Sequence, residues 1–129
     1  MRKVALVVDD SMLIRYALCH FFEEHGFAVE SATNGVEALE ILKRVNPDVI
    51  VTDIEMQKMS GSELITELKS RPETAKVPII VVAGKGTGSR DTEKRADFVV
   101  CKDIDIDAQL NKAIESLWGN GSKSVGAAE

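Results

Sequence analysis

The chain has 129 residues, 44% hydrophobic and 29% charged, room for one domain with a full core and not for two. Its formal charge of −5 at pH 7 argues against direct nucleic-acid binding. No run approaches the roughly 18 apolar residues of a membrane span, and Val4–Val8, ended by two aspartates, is too short for a signal peptide. A cytoplasmic, soluble protein without membrane contact is expected. Cys19 and Cys101 fit no metal spacing and no disulfide framework, so they are expected to be reduced, buried, small apolar residues.

In chain order, Lys3–Val8 reads as a strand, and Ser11 opens a helix to about His25 with Ala17, Leu18 and Phe21 at core spacing. Gly26 ends that helix. Phe27–Ala32 is a second strand, and the Asn34-Gly35 turn leads into a helix from Val36 to Val45, closed by Asn46-Pro47. Val49-Ile50-Val51 is too brief for a helix and rich in β-branched residues, so it reads as a strand buried on both faces. After the loop Glu55–Ser60 comes a helix from about Gly61 to Ser70.

Val77–Val82 and Phe98–Cys101 are the fourth and fifth strands. Asp105 is an N-cap for a last helix carrying Ile106, Leu110, Ala113, Ile114 and Leu117, with Trp118 covering its end. Strands alternating with helices give a doubly wound, five-stranded parallel sheet of the α/β class. Residues 1–118 form the domain; from Gly119 the chain is Gly, Ser, Ala and charge, which reads as a flexible tail or linker.

The stretch from Gly84 to Asp97 breaks the alternation. It holds no apolar residue larger than Ala96, three glycines (Gly84, Gly86, Gly88) and seven charged residues. Without an apolar stripe a helix is not held on a sheet, so a fourth helix there is expected to be short, mobile or missing. Gly84-Lys85-Gly86-Thr87-Gly88 lacks the spacing of a phosphate-binding loop. His20 and His25 are expected on the solvated face of the first helix.

The central strand delivers Asp53 at its carboxyl end, and the first strand delivers Asp9 and Asp10. Ligands of open α/β sheets bind at that edge. Acids there are ordinarily solvated helix caps. If the two strands are neighbours, however, two carboxylates about 4 Å apart repel by about 4 kcal/mol at an effective dielectric near 20. A hard divalent cation is the simplest partner.

Four motifs in order carry a resemblance: Val8-Asp9-Asp10-Ser11; Asn34-Gly35-Val36-Glu37-Ala38-Leu39; Asp53-Ile54-Glu55-Met56 with Met59-Ser60-Gly61; and Lys102 after the fifth strand. Together they resemble the CheY-like receiver domain of two-component response regulators, over residues 3 to about 118. The resemblance implies a flavodoxin-like sheet of order 2-1-3-4-5. It also implies that Asp53 accepts a phosphoryl group from the phosphohistidine of a sensor histidine kinase or a histidine phosphotransfer protein. Asp10 and Asp53, with Asp9 through water and the backbone carbonyl of Glu55, would hold one Mg²⁺. Lys102 would face a phosphoryl oxygen or the Asp53 carboxylate. Met12, Leu13, Ile14 and Arg15 would form a kinase-docking patch, and altered binding would carry the signal to an output partner the sequence does not name. Such a module catalyses only its own phosphorylation and dephosphorylation.

Departures fall on the switch positions. Ala83 stands where the family has Thr or Ser, Val99 where it has an aromatic residue, and Asp103 and Gln57 where it commonly has proline. Thr87 or Ser89 could supply a substitute hydroxyl. The rival within signalling is a pseudo-receiver, a binding module not switched by phosphorylation. An aspartyl-phosphate phosphatase needs its acid motif on the first strand, and a flavodoxin needs a phosphate loop where Asp9 and Asp10 would repel the phosphate.

Overall fold

Five short apolar runs become strands: β1 (Val4–Val8), β2 (Ala28–Ala32), β3 (Val49–Asp53), β4 (Ile79–Ala83) and β5 (Phe98–Cys101). The computed structural model describes residues 2–84 and 95–128, the stretch 120–128 by its backbone alone. Among these residues the helices are α1 (Met12–Glu24), α2 (Gly35–Ile41), α3 (Gly61–Lys69) and α4 (Ile106–Ala128). The strands form one sheet of order β2-β1-β3-β4-β5, and every pair is parallel. The α/β, flavodoxin-like architecture of the resemblance is therefore the architecture of this chain.

Both faces of the sheet are covered, which is why β3 and β4 are buried at every position and lack a polar alternation. Side-chain parity sends Val49 and Val51 to one face with Leu18 and Phe22 of α1 and Leu110 and Ala113 of α4. Ile50 goes to the other face, with Ala38 of α2 and Leu64, Ile65 and Leu68 of α3. Each fully buried Val, Leu or Ile contributes about 1.5–3 kcal/mol relative to exposure. Two dry layers thus clamp the central strands.

Several boundaries differ from the sequence expectation. β2 begins at Ala28, because the Phe27 N–H is spent on Phe22 O of the helix end (2.9 Å). α2 ends at Ile41 rather than Val45. Its last turn tightens into three-residue bonds, Lys43 N–H to Glu40 O (3.2 Å) and Arg44 N–H to Ile41 O (3.0 Å). That early turn lets the chain reach Asp48, which exchanges bonds with Val4 through its backbone N–H and its carboxylate (both 2.7 Å). β4 starts at Ile79, since Val77 N–H closes a turn on Thr74 O (3.1 Å). Cys19 and Cys101 are free thiols, as expected, but half-buried rather than buried.

α4 is capped by Asp105, whose carboxylate accepts from Ala108 N–H (3.1 Å). At Gly119 the helix breaks (φ 76°, ψ 163°), a backbone that glycine adopts without strain. Trp118 packs edge-on against Phe27 with the Lys3 ammonium 5.2 Å from its ring centre. His20 and His25 are exposed, as expected, though His25 also bonds Asn111 (3.0 Å) across to α4. The expected short or missing helix between β4 and β5 concerns residues 84–97, of which 85–94, including Lys85, Thr87 and Ser89, lie outside the described residues. No described helix is long and apolar enough to cross a membrane.

A candidate metal centre at the carboxyl edge of the sheet

From β1 the chain turns outward to β2, and only later returns to the other side of β1 as β3. The helices on either side of this switch point part and leave a crevice at the carboxyl ends of β1 and β3. Asp9 and Asp10 follow β1, and Asp53 is the last residue of β3. Their carboxylates each place an oxygen within 4.8 Å of the others. Asp9 and Asp53 are buried, whereas Asp10 is exposed at the mouth.

Backbone contacts hold the two buried acids. Asp9 N–H extends the sheet to Ala32 O (3.1 Å), and its Oδ1 accepts from Ser11 N–H (2.8 Å). Ser11 in turn caps α1 by accepting from Ile14 N–H (3.3 Å). Arg15 folds back to donate to Asp9 O (2.8 Å). Asp53 Oδ1 accepts from Ile54 N–H (2.8 Å) and from the Lys102 ammonium (3.1 Å). Lys102 is brought there by β5, the strand beyond β4. A cleft of about 230 Å³ lined by Asp10, Asp53, Ile54, Glu55, Ala83, Gly84 and Lys102 opens over the cluster.

Electrostatics identify what the cluster lacks. Burial pushes the Asp9 carboxyl from an ordinary 3.8 up to about 6, with Asp53 and Asp10 pushing the same way and Ser11 N–H and Lys102 opposing. Asp53 is also raised, by burial first, while its bond to Lys102 is the main opposing influence. Asp9 Oδ2 is buried and has no hydrogen-bond partner among the described residues. Lys102 is 3.8 Å from it, close enough for attraction but too far for a hydrogen bond. Among the described residues one ammonium, that of Lys102, faces three acids. An all-oxygen donor set with one buried unsatisfied oxygen and one solvent-facing carboxylate fits a Mg²⁺ ion that retains several waters.

The loop after β3 is held by a close approach that the motif does not explain by itself. A Cβ on Gly61 would collide with the Asp53 carbonyl oxygen and lie 2.9 Å from Ile54 Cα. Gly61 N–H meanwhile donates to Ile54 O (2.7 Å). Ser60 and Glu63 form a reciprocal capping box that starts α3 at this point. Lys58 takes a positive φ of 71° in the same loop.

The two switch positions are placed differently. Ala83 is buried at the end of β4, and its carbonyl accepts from Lys102 N–H (2.9 Å). Val99 is half-buried in the layer beneath α2 and α3. Of the expected docking patch, Met12 and Leu13 are 71% and 78% exposed, whereas Ile14 packs partly into the core and Arg15 turns to Asp9. Tyr16, which the sequence reading missed, is 69% exposed. Its spacing of four from Met12 was the available signal. Ile104 is exposed just beyond Lys102.

The response regulator receiver domain family matches residues 5–115 of the chain. The chain is similar to Protein PilH of Pseudomonas aeruginosa, 33% identical over 96 residues that cover 67% of this chain and 79% of that protein. Its fold is similar to the signal receiver domain of a signal transduction histidine kinase from Syntrophus aciditrophicus, with TM-score 0.80 and 30% identity over 92% of this chain and 91% of that one. It is also similar to the chemotaxis response regulator CheY4 of Vibrio cholerae, with TM-score 0.79 and 26% identity over 90% and 98%. Other curated relatives are longer. The chain spans 36% of a probable transcriptional regulator, ycf29, of Pyropia yezoensis and 32% of the Regulator of RpoS of Escherichia coli.

Proposed function

Because the chain belongs to the response regulator receiver domain family, we propose that it acts as a phosphoacceptor module of a two-component phosphorelay, with Asp53 as the acceptor. The observation that carries this reading is the Lys102 ammonium, 3.1 Å from Asp53 Oδ1, inside a cluster of three carboxylates. Asp9, Asp10 and Asp53, with the backbone carbonyl of Glu55, are the groups that would hold Mg²⁺. When bound, that ion supplies positive charge against the oxygens of a transferred phosphoryl group.

Among the described residues both close contacts of the Asp53 carboxylate fall on Oδ1, which leaves Oδ2 to attack. An Oδ2–phosphorus bond forms as the phosphorus–nitrogen bond of a donor phosphohistidine breaks, and the released imidazole keeps the bond's electron pair and takes a proton from water. Lys102 then faces the charge brought in with the phosphoryl group. The donor is a sensor histidine kinase or a histidine phosphotransfer protein. Met12, Leu13 and Tyr16 at the start of α1 and Ile104 after β5 offer it an exposed apolar footing. Hydrolysis of the acyl phosphate resets the module, and an output partner reads the state in between. A pseudo-receiver reading draws on Ala83 and on the altered stretch expected between the fourth and fifth strands.

Incubation with phosphoramidate and Mg²⁺, followed by intact mass, tests the proposal. One added phosphoryl group is expected on the wild-type chain and none on Asp53→Asn. No addition to the wild type, or an undiminished addition to the variant, would defeat the assignment.

A further inference from the structure

β5 is the outer strand of the sheet, so backbone groups on its far side meet no neighbouring strand. Lys102 N–H turns inward to Ala83 O (2.9 Å). The preceding residue, Cys101, turns its N–H and C=O outward, and both meet the side-chain amide of Gln109. Cys101 N–H donates to Gln109 Oε1 (2.9 Å), and Gln109 Nε2 donates to Cys101 O (2.9 Å). The amide stands in for one peptide unit of an absent sixth strand. Its orientation is fixed by chemistry, since a flipped amide would set NH₂ against N–H. Longer approaches of Nε2 to Ile104 O (3.4 Å) and Asp105 O (3.3 Å) tie the same group to the connecting turn.

Gln109 is half-buried in the first turns of α4, whose start Asp105 caps. Its bracket is thus anchored to a helix packed on the core through Leu110 and Ala113. One residue past the bracketed peptide stands Lys102, whose ammonium reaches Asp53. The next residue is Asp103, where the receiver pattern commonly has a proline to stiffen this turn. Asp103 and Ile104 are exposed.

We propose that Gln109 is a positioning residue that acts through Lys102. By clamping both backbone groups of Cys101, it fixes the direction in which the lysine side chain leaves the sheet. This rests on the reading of Lys102 and Asp53 as phosphoryl-handling groups. It assigns a role to a residue outside the receiver motifs.

Gln109→Leu keeps a helix-forming side chain of similar size and removes both amide bonds. Two readouts separate positioning from general support. The first is the ε-methylene NMR resonance of Lys102, assigned by its loss in Lys102→Arg. It is expected to move toward the position of solvent-exposed lysines in Gln109→Leu. The second is the Mg²⁺-dependent phosphorylation rate at saturating phosphoramidate, expected to fall between about 10- and 100-fold, as for a misplaced catalytic group. On a Lys102→Ala background, Gln109→Leu is expected to cause no further fall. An unmoved Lys102 resonance, or an equal slowing on both backgrounds, would overturn the proposal. Should Lys102→Ala leave the rate unchanged, the phosphoryl role of Lys102 falls, while the resonance still decides whether Gln109 positions it. Gln109→Met provides a second variant if Leu unfolds the chain.

Discussion

The ends of β1 and β3 and the ends of β4 and β5 lie on the same sheet edge but are equipped differently. On the first side both buried acids are held by backbone bonds: Asp9 by Ser11 and Ala32, Asp53 by Ile54, with Gly61 pressed against the Asp53 carbonyl. On the second side Lys102 is, among the described residues, the group that reaches across to Asp53. Ala83 offers no hydroxyl, and Val99 is an aliphatic side chain packed into the core layer. Accepting a phosphoryl group and transmitting its presence are separable tasks. A ligand shifts a conformational equilibrium only by its differential contacts with the two states, and among its described residues the β4–β5 side offers few.

The largest expected effect beyond Asp53→Asn concerns Asp9. Its folded carboxyl titrates near 6 rather than 3.8, so the native state binds more protons than the unfolded chain between those values. Stability contributed by this group is complete below 3.8 and is lost as pH rises through about 6. The difference corresponds to about 3 kcal/mol at most. Denaturant titrations of the metal-free protein should show this fall, and Asp9→Asn should flatten it. At pH 7 Mg²⁺ should restore part of the loss in the wild type only. Identical pH profiles for the two proteins would remove the acid pair's electrostatic cost from the account.

Next comes Gly61→Ala. Its methyl group meets backbone rather than a flexible side chain, so destabilisation of about 1–3 kcal/mol is expected. Displacement of the Asp53 peptide should also slow phosphorylation. A thermal melt and the phosphoramidate rate measure the two effects. A neutral variant would mean that the β3–α3 loop does not set the acid's place.

The smallest effect is expected from Ala83→Thr, which supplies the missing hydroxyl to the second side. Basal stability should change little at this position beside the cleft. Chemical-shift changes at Phe98 and Val99 on addition of beryllofluoride, an acyl-phosphate mimic, should grow relative to the wild type. No growth would place the barrier to transmission elsewhere than residue 83.

What the sequence disclosed followed the strength of local patterns. The β-branched runs of β3 and β4 could only be central strands, and acids at the ends of β1 and β3 met once parallel order brought those ends together. Other features depend on contacts that no local pattern encodes. Leu42 and Val45 keep helical spacing, yet the link from Asp48 to Val4 ends α2 early. Arg15 reads as a surface cation and becomes a support for Asp9. Gln109 reads as an ordinary helix residue, and only the open edge of β5, eight residues earlier, gives its amide a function.

The central claim is that the acid side responds to phosphoryl chemistry while the β4–β5 side scarcely follows. Backbone amide NMR of the wild-type chain with Mg²⁺, before and after beryllofluoride, tests it most directly. Large shifts are expected at Ile54, Gly61 and Lys102 and small ones at Phe98 and Val99. Shifts at Phe98 and Val99 as large as that at Ile54 would contradict it.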